Sequence, residues 1–133
     1  ERLLKQIASF AAEEYLSTAK EVQGLNVVIR AVKEVGVDHL IKIASEMVKI
    51  EPKTVAVLCA VNETARVVVM AGKEAMKCGI NAREIADETA SVLGGGGSGR
   101  PDFAQGGGTL VGKVPEALQK AEEAITKQLG KAK

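Results

Sequence analysis

The run Thr54-Val55-Ala56-Val57-Leu58-Cys59-Ala60-Val61, the linking Asn62-Glu63-Thr64-Ala65, and the run Arg66-Val67-Val68-Val69-Met70-Ala71 together decide the fold class. Two strongly apolar segments joined by a short polar link read as a β-hairpin. Their hydrophobicity is nearly continuous instead of alternating, so the sheet they belong to is expected to carry helices on at least one face. The longest uninterrupted apolar run, Val55 to Val61, is far shorter than the roughly 20 residues of a membrane-spanning helix.

Working outward towards the start, Leu25 to Val32 follows Gly24, is rich in β-branched residues and fits a third strand that Gly36 ends. Asp38 is placed to cap a helix carrying Leu40, Ile41, Ala44, Met47 and Val48, which Pro52 stops. Before that, Leu4, Ala8, Ala11, Tyr15, Thr18 and Val22 recur at a 4-3-4-3-4 spacing, the seam of a long helix. Leu3, Ile7 and Phe10 form a second stripe that widens the apolar surface. Leu3, Leu4, Ile7, Phe10 and Ala11 are therefore a candidate dimer interface; docking of this helix on its own domain is the alternative.

Beyond the hairpin, Asn81 and Glu84 have capping-box spacing, and Ile85, Ala86, Thr89, Val92 and Leu93 give the packing face of the helix they open. It runs into Gly94. Pro115 leads a last helix to about Leu129, with Lys113, Lys120 and Lys127 seven residues apart along one side. The expected architecture is α/β: a small mixed sheet, with a further short strand near Phe103 to Gly107, packed by helices and preceded by the long N-terminal helix. Residues 1–23 are expected to form that helix, a linker and a dimerisation element, and residues 24–133 one globular domain.

The 133 residues fit one domain, and 46% apolar with 26% charged residues is the balance of a folded chain. Three aromatics (Phe10, Tyr15, Phe103) leave the core to Val, Ile, Leu and Ala and supply poorly any binding of single strands by base stacking. The net charge of +1 hides a gradient. Residues 94–133 carry six positive against four negative groups, whereas residues 1–50 carry seven of each, so an anion-binding surface is expected late in the chain. Cys59 and Cys78 fit neither a disulfide framework nor a metal spacing, and His39 is the single imidazole. No metal, no cofactor and no catalytic constellation is expected, and a reducing cytoplasm is the simplest setting. Without an initiator Met, and opening inside a helical pattern, the chain reads as a piece of a longer polypeptide.

The remaining stretch, Gly94 to Gly108, is glycine at eight of fifteen positions, interleaved with Ser98, Arg100, Pro101, Asp102, Phe103 and Gln105. A flexible linker of this composition would not carry such side chains between two patterned helices. Glycines there allow positive φ and close backbone approach, so amides can converge on an anion; Arg100 adds a planar fork and Gln105 an amide for a hydroxyl or base edge. A purely structural turn is the alternative. A mononucleotide P-loop is excluded because no Gly-Lys-Ser/Thr follows at the required distance.

This string, Gly-Gly-x-Gly-x-Gly-Arg-Pro-Asp-x-Ala-Gln-x-Gly-Gly, resembles the signature near the end of alanyl-tRNA synthetases, in the C-terminal domain called C-Ala. That domain is related to the DHH-associated domain of certain phosphoesterases. The order of elements resembles C-Ala along essentially the whole chain. The phosphoesterase relatives usually have a shorter Gly-Gly-Gly-His segment, which Arg100-Pro101-Asp102 does not match. The family's pattern is also departed from at Gly96 and Ser98, where many members have Lys and Gly.

The resemblance implies a tRNA-binding module that engages the outer corner of tRNA and helps the preceding catalytic and editing domains of the same chain act on one bound tRNA. It implies an alanine-specific tRNA partner, a homodimer and no membrane partner. The residues expected at the tRNA are Gly95, Gly97, Ser98, Gly99, Arg100, Asp102, Gln105, Gly107, Lys113 and Lys120. Two other readings stand beside it: an accessory substrate-binding domain of a DHH-type phosphoesterase, and a dimerisation module with little RNA contact. For the lysines, solvated i,i+4 pairs Glu116–Lys120 and Glu123–Lys127 are the plainer explanation.

Overall fold

A computed structural model describes residues 2–131, with side chains from 7 to 130. In chain order the elements are α1 (Arg2–Ser17), β1 (Lys20–Val22), β2 (Leu25–Lys33), α2 (Val37–Ile50), β3 (Thr54–Val61) and β4 (Ala65–Ala71). They continue with α3 (Lys73–Lys77), α4 (Ala82–Val92), β5 (Gly96–Gly99), β6 (Phe103–Gly108), a 3-10 turn (Val111–Lys113) and α5 (Val114–Lys131). The strands form one mixed sheet in the order β1-β2-β3-β4-β6-β5. Only β2 and β3 run parallel, which is why α2 lies between them in sequence: a parallel pair needs a crossover.

Helices cover both faces. Ala56, Leu58, Val68 and Met70 point to one side, onto Leu40, Ile43 and Met47 of α2 and Ala8, Ala12 and Tyr15 of α1. Val55, Val57, Val67 and Val69 point to the other, onto Ile85 of α4, Leu93 at its C-cap, and Ala121 and Ile125 of α5. Every residue from Thr54 to Ala60 is buried as a result, the physical reason for the unbroken hydrophobicity of that run. Each buried Val or Leu contributes about 1.5–3 kcal/mol relative to exposure, so the β3–β4 pair is the centre of stability.

The N-terminal helix is shorter than its seam implies. It stops at Ser17, where the Ser17 hydroxyl donates to the Glu14 carbonyl at 2.6 Å and the Thr18 hydroxyl to the Tyr15 carbonyl at 2.9 Å. Gln23 and Gly24 follow with φ of 50° and 87°, the two-residue turn that matches strand twist, so Lys20–Val22 folds back as a strand on Leu25–Val27. The spacing of Thr18 and Val22 only mimics the helical seam. What exists of the helix docks on its own domain through Ala8, Ala12 and Tyr15, with the Ser9 hydroxyl donating to Glu46 Oε1 at 2.9 Å and the Arg30 guanidinium 4.1 Å from the Tyr15 ring centroid. Ile7 and Phe10 are exposed, Ala11 is half-buried, and the side chains of Leu3 and Leu4 lie outside the described residues.

Two capping expectations are also corrected. Gly36, with no side chain to offer, takes the N-cap of α2 and Asp38 falls in the first turn, where its charge still suits the helix dipole. At α4, Asn81 Oδ1 accepts from the amides of Arg83 and Glu84 as expected. Glu84 does not reach back, because Gln128 of α5 occupies that place: Gln128 accepts from the Asn81 amide at 2.9 Å and donates to Glu84 Oε2 at 3.1 Å. This buried glutamine ties α5 to the start of α4.

Candidate nucleic-acid interface

The glycine-rich string folds as the hairpin β5–β6, laid on α4 and paired through β6 to β4. Its glycines are spacers. A Cβ on Gly97 would lie 2.7 Å from the Ala86 carbonyl carbon and the Asp87 amide nitrogen, one on Gly106 would lie 2.8 Å from Ala90 Cβ, and one on Gly95 would strike the Gly107 carbonyl oxygen. Removing side chains from this face lets the hairpin backbone rest directly on the helix.

Several amides of the string are already committed within the protein. Gly94 donates to Ser91, Gly95 to Ala90, Gly97 to Asp87 Oδ1 at 3.2 Å, and Arg100 to the Phe103 carbonyl. The turn is equally tied down: the Pro101 carbonyl accepts from the Ala82 amide at 2.8 Å and the Asp102 carbonyl from the Ala71 amide at 2.9 Å.

The face turned away from α4 is open. Register places Arg66, Gly107 and Gly96 in one cross-strand row and Val68, Gln105 and Ser98 in the next. α2 packs chiefly on β3 and β4, and beside them lies a groove of about 540 Å³ whose lining includes Thr64, Arg66, Ser98, Gln105 and Thr109 and, among the described residues, no carboxylate. Arg66 is exposed and has no ion-pair partner among the described residues. An unpaired guanidinium beside an amide, hydroxyls and bare glycine backbone can take a phosphate or a polar base edge.

A second groove of about 650 Å³ lies at the opposite end of β6, between α2 and the hairpin turn. Met70, Met76 and Phe103 contribute apolar surface there, and Lys49, Lys73 and Arg100 add positive charge. Arg100 Nε sits 3.2 Å from Asp102 Oδ1, so its charge is partly matched locally.

The expected site residues therefore divide. Ser98, Gln105 and Gly107 line the first groove, and Arg100 and Asp102 line the second. Gly95, Gly97 and Gly99 shape the hairpin. Lys113 pairs with Glu116 at 3.7 Å, and Lys120 pairs at 3.9 Å with Glu88 of α4, on the helix layer behind the groove. Arg66 carries no signal in the sequence, where it is the first residue of an apolar run; only the sheet order puts it beside the glycines.

Cys59 is fully buried and its thiol is pushed from 9.0 up to about 11 by burial, which keeps it protonated and unreactive at neutral pH. Cys78 is exposed at the end of α3. Among the described residues no three His, Cys, Asp or Glu side chains come together as a metal-binding group. No described helix is long and apolar enough to cross a membrane.

The family pattern of the DHHA1 domain matches residues 24–127, which hold the whole sheet but β1, and the chain belongs to that family. The chain is similar to alanyl-tRNA synthetases in sequence and in structure. Alanine–tRNA ligase of Methanosarcina mazei is 38% identical over 125 residues, which cover 94% of this chain and 13% of the ligase. The crystal structure of the C-Ala domain from Aquifex aeolicus alanyl-tRNA synthetase superposes with a TM-score of 0.75 at 29% identity, covering 82% of this chain and 98% of that one. A pGpG-specific phosphodiesterase from Vibrio shares the fold alone, with a TM-score of 0.54 at 13% identity over 98% of this chain and 41% of that one. The chain thus spans about one seventh of the length of the curated ligases it matches.

Proposed function

We propose that this chain is the tRNA-binding accessory module of an alanine–tRNA ligase. It engages the outer corner of the alanine-specific tRNA in the cytoplasm and holds it while the preceding catalytic and editing domains act on it. The observation that carries this reading is the groove on the β4–β6–β5 face, where, among the described residues, no carboxylate lines the surface and Arg66 has no ion-pair partner beside Gln105 and Ser98. The similarity to ligases over nearly the whole chain supports it.

Structured RNA is read through its shape and phosphates more than through its base sequence, and a shallow groove with one free guanidinium and neutral polar neighbours suits that kind of contact. Lys49, Lys73 and Arg100 of the second groove extend the positive surface along the same sheet face. The module supplies no cofactor and no catalytic group of its own. The exposed Ile7 and Phe10 of α1 support self-association of the chain through that helix.

The test is a gel shift with tRNA at fixed and varied salt. Arg66→Ala is expected to weaken binding about tenfold and to lower the salt slope by about one phosphate contact. Arg100→Ala is expected to weaken it less, without unfolding the domain, because Asp102 already shares its charge. Unchanged affinity and salt slope in Arg66→Ala would remove the groove from the interface.

A further inference from the structure

Several polar side chains of the molecule are spent inside the fold. Gln128 bridges the Asn81 backbone and Glu84, Asn81 caps α4, Asn62 donates to the Val35 carbonyl and the Thr89 hydroxyl donates to the Ile85 carbonyl. The first groove is different. Among the described residues, the side chains of Thr64, Arg66, Ser98, Gln105 and Thr109 have no hydrogen-bond or ion-pair partner, and all five line it. Gln105 is half-buried there with its amide uncommitted.

Register orders these groups. Ser98 stands opposite Gln105, and Arg66 stands opposite Gly107, two residues further along the same face of β6. Positions two residues apart on a strand are about 6.6 Å apart, so a cation and a pair of neutral polar groups follow one another along the groove at the scale of one nucleotide. Gly107 and Gly96, in the row of Arg66, carry no side chain, and a ligand can approach the backbone closely beside the guanidinium.

The two rows suit different parts of a ligand. A guanidinium takes a phosphate. An amide and a hydroxyl both donate and accept, which matches a ligand hydroxyl, itself a donor and an acceptor; a phosphate oxygen would use only half of their capacity. In folded RNA most base edges are occupied by pairing, while the wide, shallow minor groove displays 2′-hydroxyls together with phosphates. The ribose 2′-hydroxyl is therefore the polar group that lies beside a phosphate and remains to be read, and DNA lacks it.

We propose that Gln105 and Ser98 read a ribose 2′-hydroxyl next to a phosphate held by Arg66, so that the groove selects RNA over DNA. This rests on the tRNA-binding reading of the groove and adds to it the group that is recognised.

Analogue interference tests it with the chain as it stands. Alanine tRNA transcripts carrying a phosphorothioate-tagged 2′-deoxynucleotide at one random position per molecule are mixed with the protein. Bound and free fractions are separated on a gel, and iodine cleavage maps the deoxy positions depleted from the bound pool. Transcripts with tagged ribonucleotides control for the phosphorothioate itself.

With the wild-type chain, depletion of about fivefold is expected at one nucleotide or a few adjacent ones, the size of one net hydrogen bond. The double variant Gln105→Met, Ser98→Ala keeps the bulk of both side chains and removes their polar groups. It is expected to fold, by circular dichroism, to bind unmodified tRNA about fivefold more weakly, to lose the depletion, and to keep the salt slope because no charge is removed. Binding by the wild type with no depletion at any position overturns the proposal, as does the same depletion in the double variant; tRNA binding stands in both cases. A wild-type chain that does not bind tRNA removes the functional reading and this inference with it.

Discussion

Two hairpins of one sheet, β3–β4 and β5–β6, solve the same packing problem in opposite ways. The first fills space with side chains: Val, Leu and Met on both faces, buried between helix layers. The second removes them, so that Gly97 and Gly106 let main chain rest on α4. The valine hairpin shows a ligand little but its flanks. The glycine hairpin keeps one face bare, and there Arg66, Ser98 and Gln105 stand around an open groove. Buried packing and open polar surface are thus divided between neighbouring strand pairs, with Arg66 of β4 joining the two.

Four substitutions break or sharpen this contrast, all measured by denaturant unfolding. Leu58→Ala empties a fully buried position of the valine pair and is expected to cost about 2–5 kcal/mol, the largest effect. Gly97→Ala adds one methyl where there is no room and is expected to cost about 1–3 kcal/mol, with RNA binding falling in step because the hairpin lifts from α4. Should Gly97→Ala prove neutral, the spacer account of the glycines is wrong. Asn81→Ala removes the cap of the helix on which the hairpin rests and is expected to cost about 1 kcal/mol. Gly112→Ala, where a Cβ meets nothing within 4 Å, is expected to stay within about 0.5 kcal/mol, showing that glycine is required in the hairpin and not throughout the C-terminal third.

The valine-rich strands were legible because burial on two faces leaves its mark in every residue: Thr54–Val61 appears as read, and β4 and β2 differ from expectation by a residue. Asn81 was legible because capping is local chemistry. β5 was not, since Gly-Gly-Ser-Gly has no strand preference and is held only by its pairing with β6 and its seat on α4. The short helix α3, Lys-Glu-Ala-Met-Lys, favours a helix in composition but is too short, at five residues, to show a helical period, and was missed. Of the residues that line the candidate groove, Ser98, Gln105 and Gly107 belong to the motif, while Arg66 stands about 40 residues earlier in the chain and joins them only through β4–β6 pairing.

Local preference and hydrophobic period by themselves determined the α/β class, the main strands, the cap of α4 and the segment in which to look for a site. Tertiary structure alone decided the end of α1 with the return of β1, and the place of Arg66 in the groove. The reason is common to both: each depends on which strand lies beside which, and strand neighbours are set by backbone hydrogen bonds between distant residues, which leave little trace in the order of side chains along the chain.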